Sequence, residues 1–279
     1  WALADAPPLF GAAIQTMPIW IMSIVVFIAR GYYRKLNPKS NEFIGIGSLL
    51  ILMFSGSIVY VLGNWALYEA LKIGAVTLTS PIVGTQVIWA TLISYFLLGE
   101  KINFKMIIGM LISLIGVVVL TIGNADGNIT LEGWKIAVPL AFIPALCYAF
   151  GGSIKRYLFT RKSLDTWMVT FVEVTTGMLL LHAIFLIQGN NYYSIISINT
   201  ISKFLFAGLF SAIAIISITT ATSLTGVASA IAINSTQTAI APILAMVLLG
   251  ENINLVTLTG IILIMVGVMI VQLKKPVYN

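Results

Sequence analysis

Long apolar stretches separated by short polar segments run the length of the chain. Nine of these stretches reach about 20 residues, the length that an α-helix needs to cross the hydrocarbon core of a bilayer. They are predicted to be helical because lipid offers an open backbone no hydrogen-bonding partner. The predicted spans are residues 7–29, 44–70, 77–98, 104–122, 134–157, 166–187, 202–224, 228–249 and 255–273.

The composition agrees with a chain that is surrounded by lipid. Of its 279 residues, 59% are hydrophobic and 9% are charged, whereas soluble domains average about 25% charged residues. A net charge of +6 would also suit nucleic acid, but the basic residues lie in short clusters between apolar stretches, so nucleic acid is excluded as a partner. With Cys147 and His182 as its single cysteine and histidine, the chain is predicted to hold no metal or cofactor.

The loops divide unequally in positive charge. Alternate loops hold twelve lysine and arginine residues in one set and three, Lys72, Lys135 and Lys203, in the other. Because cytoplasmic loops carry the excess of positive charge, the richer set is predicted to be cytoplasmic. The sequence therefore predicts an integral protein of the plasma or inner membrane with a cytoplasmic C-terminus. The richer set is Arg30, Arg34, Lys35, Lys39, Lys101, Lys105, Lys155, Arg156, Arg161, Lys162, Lys274 and Lys275.

An internal repeat relates the two halves of the chain. Residues 84–116 and 235–267 align without a gap at an offset of 151, with eleven of 33 positions identical. The informative matches are polar residues and glycines, since apolar composition alone produces matched leucines. These are Thr85 with Thr236, Gln86 with Gln237, Glu100 with Glu251, Asn103 with Asn254, Gly109 with Gly260 and Gly116 with Gly267. The charge rule places the two glutamates on opposite sides, so the repeats are inverted.

The repeat predicts the fold class and its division. Inversion requires an odd number of spans in each repeat, here five, and thus an all-α membrane bundle of ten helices. The N-terminal repeat is predicted over residues 1–124 and the C-terminal repeat over residues 125–279. Nine spans are visible, and the offset predicts that the first helix lies ahead of Trp1. The repeated glycines favour close helix packing within the bundle or in a homodimer.

Two sequence motifs carry a family resemblance. The junctions that contain LLGE, at residues 97–102 and 248–253, and the segment ALYEALKIGAV at residues 66–76 resemble the EamA branch of the drug/metabolite transporter superfamily. The resemblance covers essentially the whole chain. It implies ten helices in two inverted halves around a central cavity that opens alternately to either side of the membrane.

Polar side chains in the middle of spans are the candidate substrate ligands. A side-chain amide in hydrocarbon needs a partner or a water-filled cavity, and transporters place substrate sites near the midplane between repeats. Helix–helix hydrogen bonding is the alternative interpretation. The aromatic and amide residues of the span at 44–70 are predicted either to line the cavity or to belong to the core. The substrate-binding candidates are Thr85, Gln86, Trp89, Tyr60, Asn64, Tyr68, Asn234, Thr236 and Gln237.

Glu173 is the one acidic residue well inside a predicted span. A carboxylate at that depth costs roughly 2.5–3.5 kcal/mol on insertion scales, so a functional role is expected. Thr166, Thr170, Glu173 and Gly177 follow helical spacing on one face, which is predicted to avoid lipid. Glu173 is a candidate to carry a coupling proton or to meet a cationic solute, and a hydrogen-bonded structural glutamate is the alternative.

These features favour a secondary-active transporter of small organic solutes, such as amino acids, amines, metabolites or drugs, that works as an exporter or exchanger by alternating access. Its expected partners are a small-molecule substrate, membrane lipid and a coupling proton. The chain lacks the G-x-x-x-x-G-K-[ST] motif of ATP-driven motors. A lipid flippase or scramblase on the same scaffold is the alternative. An intramembrane enzyme is disfavoured because no catalytic constellation is recognisable.

Overall fold

The structure is a computed structural model, and it describes residues 6–99, 101–125, 133–162, 164–188, 196–225, 237–251 and 253–272. Within these ranges the regular structure is helical and no β-strand is present. The α-helices are α1 (Pro8–Ala29), α2 (Tyr33–Leu36), α3 (Ile46–Gly56), α4 (Asn64–Gly84), α5 (Gln86–Leu98), α6 (Phe104–Ala125), α7 (Gly133–Lys162), α8 (Thr166–Gln188), α9 (Ile198–Thr225), α10 (Gln237–Leu249) and α11 (Leu255–Gln272). A π-helical segment, Ser57–Gly63, joins α3 to α4.

Six apolar segments of the described chain are long enough to cross a membrane, and two shorter apolar helices lie in α10 and α11. The longest, Ile46–Leu97, has 52 residues, far more than one crossing needs. It is divided at Ala75, whose φ of 58° and ψ of 177° interrupt the helix. The predicted division into two spans is therefore correct, and the loop between them is shorter than expected.

The chain forms two compact units, each drawn from two separate stretches of sequence. Unit 1 comprises Trp1–Tyr68 and Ile154–Leu224, and unit 2 comprises Glu69–Ser153 and Thr225–Asn279. Both units thus take residues from both predicted repeats. The predicted repeat boundary between residues 124 and 125 stays a prediction.

Unit 1 is centred on the packing of α1 against α8 and α9. Phe10 and Ile14 of α1 are fully buried with Leu181 of α8 and Phe204 of α9. The rings of Phe10 and Phe185 meet edge to face with centroids 6.1 Å apart, a favourable arrangement for aromatic pairs. This apolar cluster supports the neighbouring polar residues of α1 and α8.

Unit 2 is built around close antiparallel packing of α6 and α11. A Cβ on Gly116 would lie 2.7 Å from the backbone nitrogen of Ile264, and a Cβ on Gly109 would lie 2.7 Å from the carbonyl oxygen of Gly267. Glycine is required because the helices approach more closely than any side chain allows. The predicted role of these glycines in bundle packing is confirmed.

The repeat is visible in the helices of unit 2. At the offset of 151, α6 begins at Phe104 and α11 at Leu255, and the segments before them contain Gly99 (φ 69°) and Gly250 (φ 70°), both in left-handed conformation. The repeat-related residues Ser113 and Ile264 face each other, and the Ser113 hydroxyl donates to the Ile264 carbonyl over 3.3 Å. The repeat-equivalent helices α6 and α11 thus pack antiparallel to each other, and the inversion of the two repeats across the membrane stays a prediction.

Glu251 stabilises the corner at Ala75 within unit 2. Its two carboxylate oxygens accept hydrogen bonds from the backbone N–H groups of Val76 and Thr77, at 3.0 and 2.9 Å. These groups begin the helical stretch that follows the interruption, and a helix start favours negative charge. The glutamate of the second LLGE motif therefore acts as a helix cap.

Candidate functional site

Glu173 lies in the interior of unit 1, on the second turn of α8, and is 0% exposed. Its Oε1 accepts a hydrogen bond of 2.6 Å from the Ser55 hydroxyl of α3. Its Oε2 lies 2.7 Å from the Lys155 ammonium of α7. Both oxygens of the buried carboxylate are therefore engaged, one by a hydroxyl and one by a cation.

Lys155 lies within α7, inside the apolar segment Lys135–Phe159. The charge pattern had placed it among the cytoplasmic loop residues, and this assignment is wrong. The predicted span 134–157 already contains Lys155, and α7 continues beyond it to Lys162, so Lys155 is a residue of the helix and not of a loop. The helix carries Lys155 back towards α8, where a buried carboxylate offers compensation that lipid does not.

Two glycines bring the surrounding backbone close to this ion pair. A Cβ on Gly56 would collide with the backbone of Glu173, and a Cβ on Gly177 would collide with the Cβ of Tyr60. Tyr60 lies in the π-helical segment, a rare conformation that is frequent at functional sites. Tyr60 interacts electrostatically with both Lys155 and Glu173. We call Ser55, Tyr60, Lys155 and Glu173 the ion-pair site.

A second polar network crosses unit 1. Gln15 of α1 donates from Nε2 to the Ser211 hydroxyl of α9 over 2.8 Å, and its Oε1 accepts a hydrogen bond from the Tyr68 hydroxyl. On the same helix the Trp20 indole donates to the Thr175 hydroxyl over 3.2 Å. These bonds satisfy polar groups that hydrocarbon would leave unpaired.

A cation-rich surface, formed by Arg30, Arg34 and Lys35, lies at the end of unit 1 where α1 ends and α8 begins. The Arg30 guanidinium lies 5.8 Å from the centre of the Trp167 ring, and it donates to the Tyr32 hydroxyl over 3.3 Å. Burial raises the pKa of the Tyr32 phenol above its ordinary value, so Tyr32 is uncharged at neutral pH. α8 begins here because Asp165 caps it, accepting from the Trp167 N–H over 2.9 Å.

The candidates from the aromatic span lie in unit 1. Tyr60 and Tyr68 are buried and Asn64 is half-buried. Tyr60 belongs to the ion-pair site, and Tyr68 contacts Gln15 and the Phe204 ring. Of the polar stripe on α8, Thr170 and Glu173 are buried, and Thr166 is half-buried. None of these three side chains is exposed, in agreement with the prediction that this face of α8 avoids lipid. Its place in a substrate cavity stays a prediction.

The candidates from the repeated Thr-Gln pair lie in unit 2. Thr85 is buried at the short break between α4 and α5, where its hydroxyl donates to the Ile82 carbonyl over 2.6 Å. Gln86 begins α5 and is half-buried, and Gln237 begins α10 and is exposed. Trp89 packs edge to face on Phe142. Asn234 and Thr236 lie outside the described residues, and the substrate-binding role of this group stays a prediction.

Sequence reasoning missed three members of the polar sites in unit 1. Ser55 and Gln15 are single polar residues within apolar stretches, a pattern that also fits ordinary helix contacts. Lys155 is followed directly by Arg156, and a basic pair at the end of an apolar stretch is typical of a loop. Within the described residues, no three His, Cys, Asp or Glu side chains are grouped to hold a metal ion.

Comparison with known proteins agrees with this architecture. The sequence matches the EamA-like transporter family over residues 1–122 and 135–273. It is 26% identical over 279 residues to the "Uncharacterized transporter YvbV" of Bacillus subtilis, covering 98% of this chain and 85% of that protein. It is also 25% identical over 195 residues to an "Uncharacterized transporter" of Clostridium kluyveri, covering 66% of this chain and 59% of that protein.

A solved structure shares the fold. A crystal structure titled only "Crystal structure of protein" superposes with a TM-score of 0.66, covering 96% of this chain and 88% of that chain at 16% sequence identity. At this identity the likeness concerns the fold. The apolar helices and the family match define an integral membrane transporter of small solutes. The chain belongs to the EamA-like transporter family.

Proposed function

We propose that this protein is a secondary-active transporter of small organic solutes that works by alternating access and couples solute movement to a proton. The observation that carries the proposal is the ion pair between Lys155 and Glu173 within apolar helices. A charged pair at membrane depth is costly, and ionisable residues inside membrane segments are typically functional. Ion pairs of this kind can exchange partners with a charged solute or a proton.

The position of the pair favours export or exchange. Glu173 is seven residues into α8, or about 10 Å from its first residue at 1.5 Å per residue. That end of unit 1 carries Arg30 and is predicted to be cytoplasmic from the charge of its loops. The ion-pair site is therefore nearer to the predicted cytoplasmic end of α8 than to its other end, as expected for a site that receives solutes from the cytoplasm.

The break at Thr85 in unit 2 is proposed to contribute further substrate contacts. Gln86 begins α5 directly after this break, and Gln237 is its repeat equivalent. Transporters use such starts of broken helices to hold substrates. Trp89, one turn into α5, adds an aromatic face suited to flat or apolar solutes.

A thermal-shift screen of the purified full chain, followed by solute counterflow, tests the proposal. The screen covers amino acids, amines, nucleosides and organic acids, because a ligand that binds the folded state raises apparent stability. A hit is then preloaded into proteoliposomes, and uptake of the labelled solute is measured. Accumulation driven by exchange is expected for the wild type and for Glu42→Gln, which alters an exposed residue.

Two results would contradict the proposal. One is the absence of exchange for every solute that binds. The other is movement of a fluorescent phospholipid between leaflets without exchange of any soluble compound, which would identify a flippase or scramblase instead.

A further inference from the structure

The two side chains of the ion pair differ in their exposure. The Glu173 side chain is 0% exposed, whereas the Lys155 side chain is 28% exposed. Both oxygens of Glu173 have partners. An ammonium has three donors, and within the described chain Glu173 is the acidic group that pairs with Lys155. A solute that enters this part of unit 1 therefore meets the cation first, and the complementary group is an anion.

We propose that Lys155 binds the carboxylate of a small organic acid or amino acid, and that Glu173 takes up one proton as this happens. The inference rests on the proposed transport function and names the substrate class of the same site. The contact between Lys155 Nζ and Glu173 Oε2 breaks, and Nζ donates to the solute carboxylate instead. One proton from solvent binds the Glu173 carboxylate, so the site keeps its net charge.

The proton is needed because, within the described part of the chain, Lys155 is the cation that pairs with Glu173, and the carboxylate loses this compensation once Lys155 turns to the solute. A buried carboxylate that loses its ionic partner is strongly disfavoured. The Ser55 hydroxyl suits either state of Glu173. It donates to the carboxylate in the present arrangement, and a hydroxyl that rotates can accept from a protonated carboxyl group.

Among the described groups that surround Glu173, Lys155 is the cation that pairs with it. α1 and α3, which pack against α8, contain no ionisable residue over their whole lengths. The π-helical segment supplies Tyr60, and α7 supplies Lys155, followed by Arg156. His182 is nine residues beyond Glu173 on α8, about 13 Å along the helix. The cation-rich surface around Arg30 favours the approach of anions over cations.

Matched pairs of acids and amides test the substrate class. N-acetylglycine and N-acetylleucine are compared with N-acetylglycinamide and N-acetylleucinamide, which have nearly the same size and no charge, and free amino acids are added. Binding to the purified full chain is measured by thermal shift and by calorimetry in buffers of different ionisation enthalpy, which reports protons taken up. We expect the carboxylates to bind, the amides not to bind, and about one proton to enter for each carboxylate bound.

Variants of the pair separate binding from proton uptake. Lys155→Met is expected to weaken carboxylate binding by about thirtyfold or more. Because this change leaves Glu173 unpaired, the double variant with Glu173→Gln provides a neutral pair if the single variant does not fold, and it is expected to show the same loss. Glu173→Gln alone is expected to bind carboxylates without proton uptake. Lys203→Met, which alters the lysine of α9, is the matched control and is expected to bind as wild type does.

Three results would overturn the inference. They are amides that bind as well as acids, carboxylate binding that persists in the double variant, and unchanged proton uptake in Glu173→Gln. Exchange of amines or neutral solutes in counterflow, with no effect of carboxylates, would also overturn it while leaving the proposed transport function intact. Absence of exchange for every solute would count against the transport function itself.

Discussion

At the scale of single residues, the structure gives the buried glutamate of α8 a defined set of partners. Glu173 could be identified from the sequence as a candidate functional residue because it is the one acidic residue well within a predicted span, where ionisable residues are rare and typically functional. Its partner could not be selected, because Lys155 and Arg156 together have the pattern of a cytoplasmic loop. The structure distinguishes Lys155 by its contact with Glu173, which lies 18 residues later in the chain and on the next helix.

Removing the Ser55 hydroxyl should destabilise the protein through the ion-pair site. Ser55→Ala deletes a buried hydrogen bond of 2.6 Å to the Glu173 carboxylate, and hydrogen bonds to charged groups contribute about 1.5–3 kcal/mol. We expect a lower melting temperature in detergent. The control is Ser57→Ala, whose hydroxyl donates to the Met53 carbonyl four residues earlier in the chain. An equal decrease of the melting temperature in both variants would mean that the hydrogen bond to Glu173 contributes no more to stability than the bond of Ser57 to the backbone.

Ala75 carries backbone strain that a glycine would relieve. Its φ of 58° with ψ of 177° lies in a region that is essentially reserved for glycine and costs about 1–3 kcal/mol for other residues. Ala75→Gly is therefore expected to raise the melting temperature. Ala66→Gly, within α4, is expected to lower the melting temperature, because glycine in a helix interior is about 1 kcal/mol less favourable than alanine. A destabilised Ala75→Gly variant would contradict the observed corner.

At the scale of elements, the sequence predicted most helices well and their ends less well. The predicted span 166–187 matches α8, Thr166–Gln188, because the apolar stretch and the helix begin at the same residue. The predicted end at residue 157 falls short of Lys162, where α7 ends, since basic residues continue a helix without any apolar signal. The break at Thr85 was not predicted, and Pro81 lies inside α4. The buried position of Thr85 at this break depends on contacts between residues that are distant in the sequence, which no local pattern encodes.

The helix cap provided by Glu251 accounts for the glutamate of the second LLGE motif. Glu251→Ala leaves the N–H groups of Val76 and Thr77 without their acceptors, which should cost about 1–3 kcal/mol. We expect faster hydrogen exchange at these two amides. Glu251→Gln keeps one acceptor and should show a smaller effect. Exchange rates that stay at the wild-type level in both variants would exclude the cap.

At the scale of the whole molecule, the repeat was the strongest prediction that the sequence allowed. Helix starts, left-handed glycines and the facing pair Ser113 and Ile264 all follow the offset of 151. Matched polar residues revealed this offset because apolar positions in lipid tolerate exchange, whereas glycines at close contacts do not. The division into two discontinuous units could not be predicted, since it depends on contacts between residues far apart in sequence.

Inverted repeats place equivalent loops on opposite sides of the membrane. Single cysteines introduced by Lys101→Cys or Asn252→Cys, in a Cys147→Ser background, mark repeat-equivalent positions. A membrane-impermeant thiol reagent applied to intact cells should label the second variant and spare the first, as the charge rule predicts. Labelling of both from the same side would contradict the inversion.

Proton-driven transport through Glu173 is the central claim, and accumulation under a pH gradient tests it most directly. Proteoliposomes that contain wild type or Glu173→Gln are compared for counterflow and for uptake driven by the gradient, with a solute that the screen identifies. The account predicts that wild type does both, and that Glu173→Gln retains counterflow but loses accumulation driven by the gradient. Accumulation by Glu173→Gln at the wild-type level would show that this carboxyl group does not couple protons to solute.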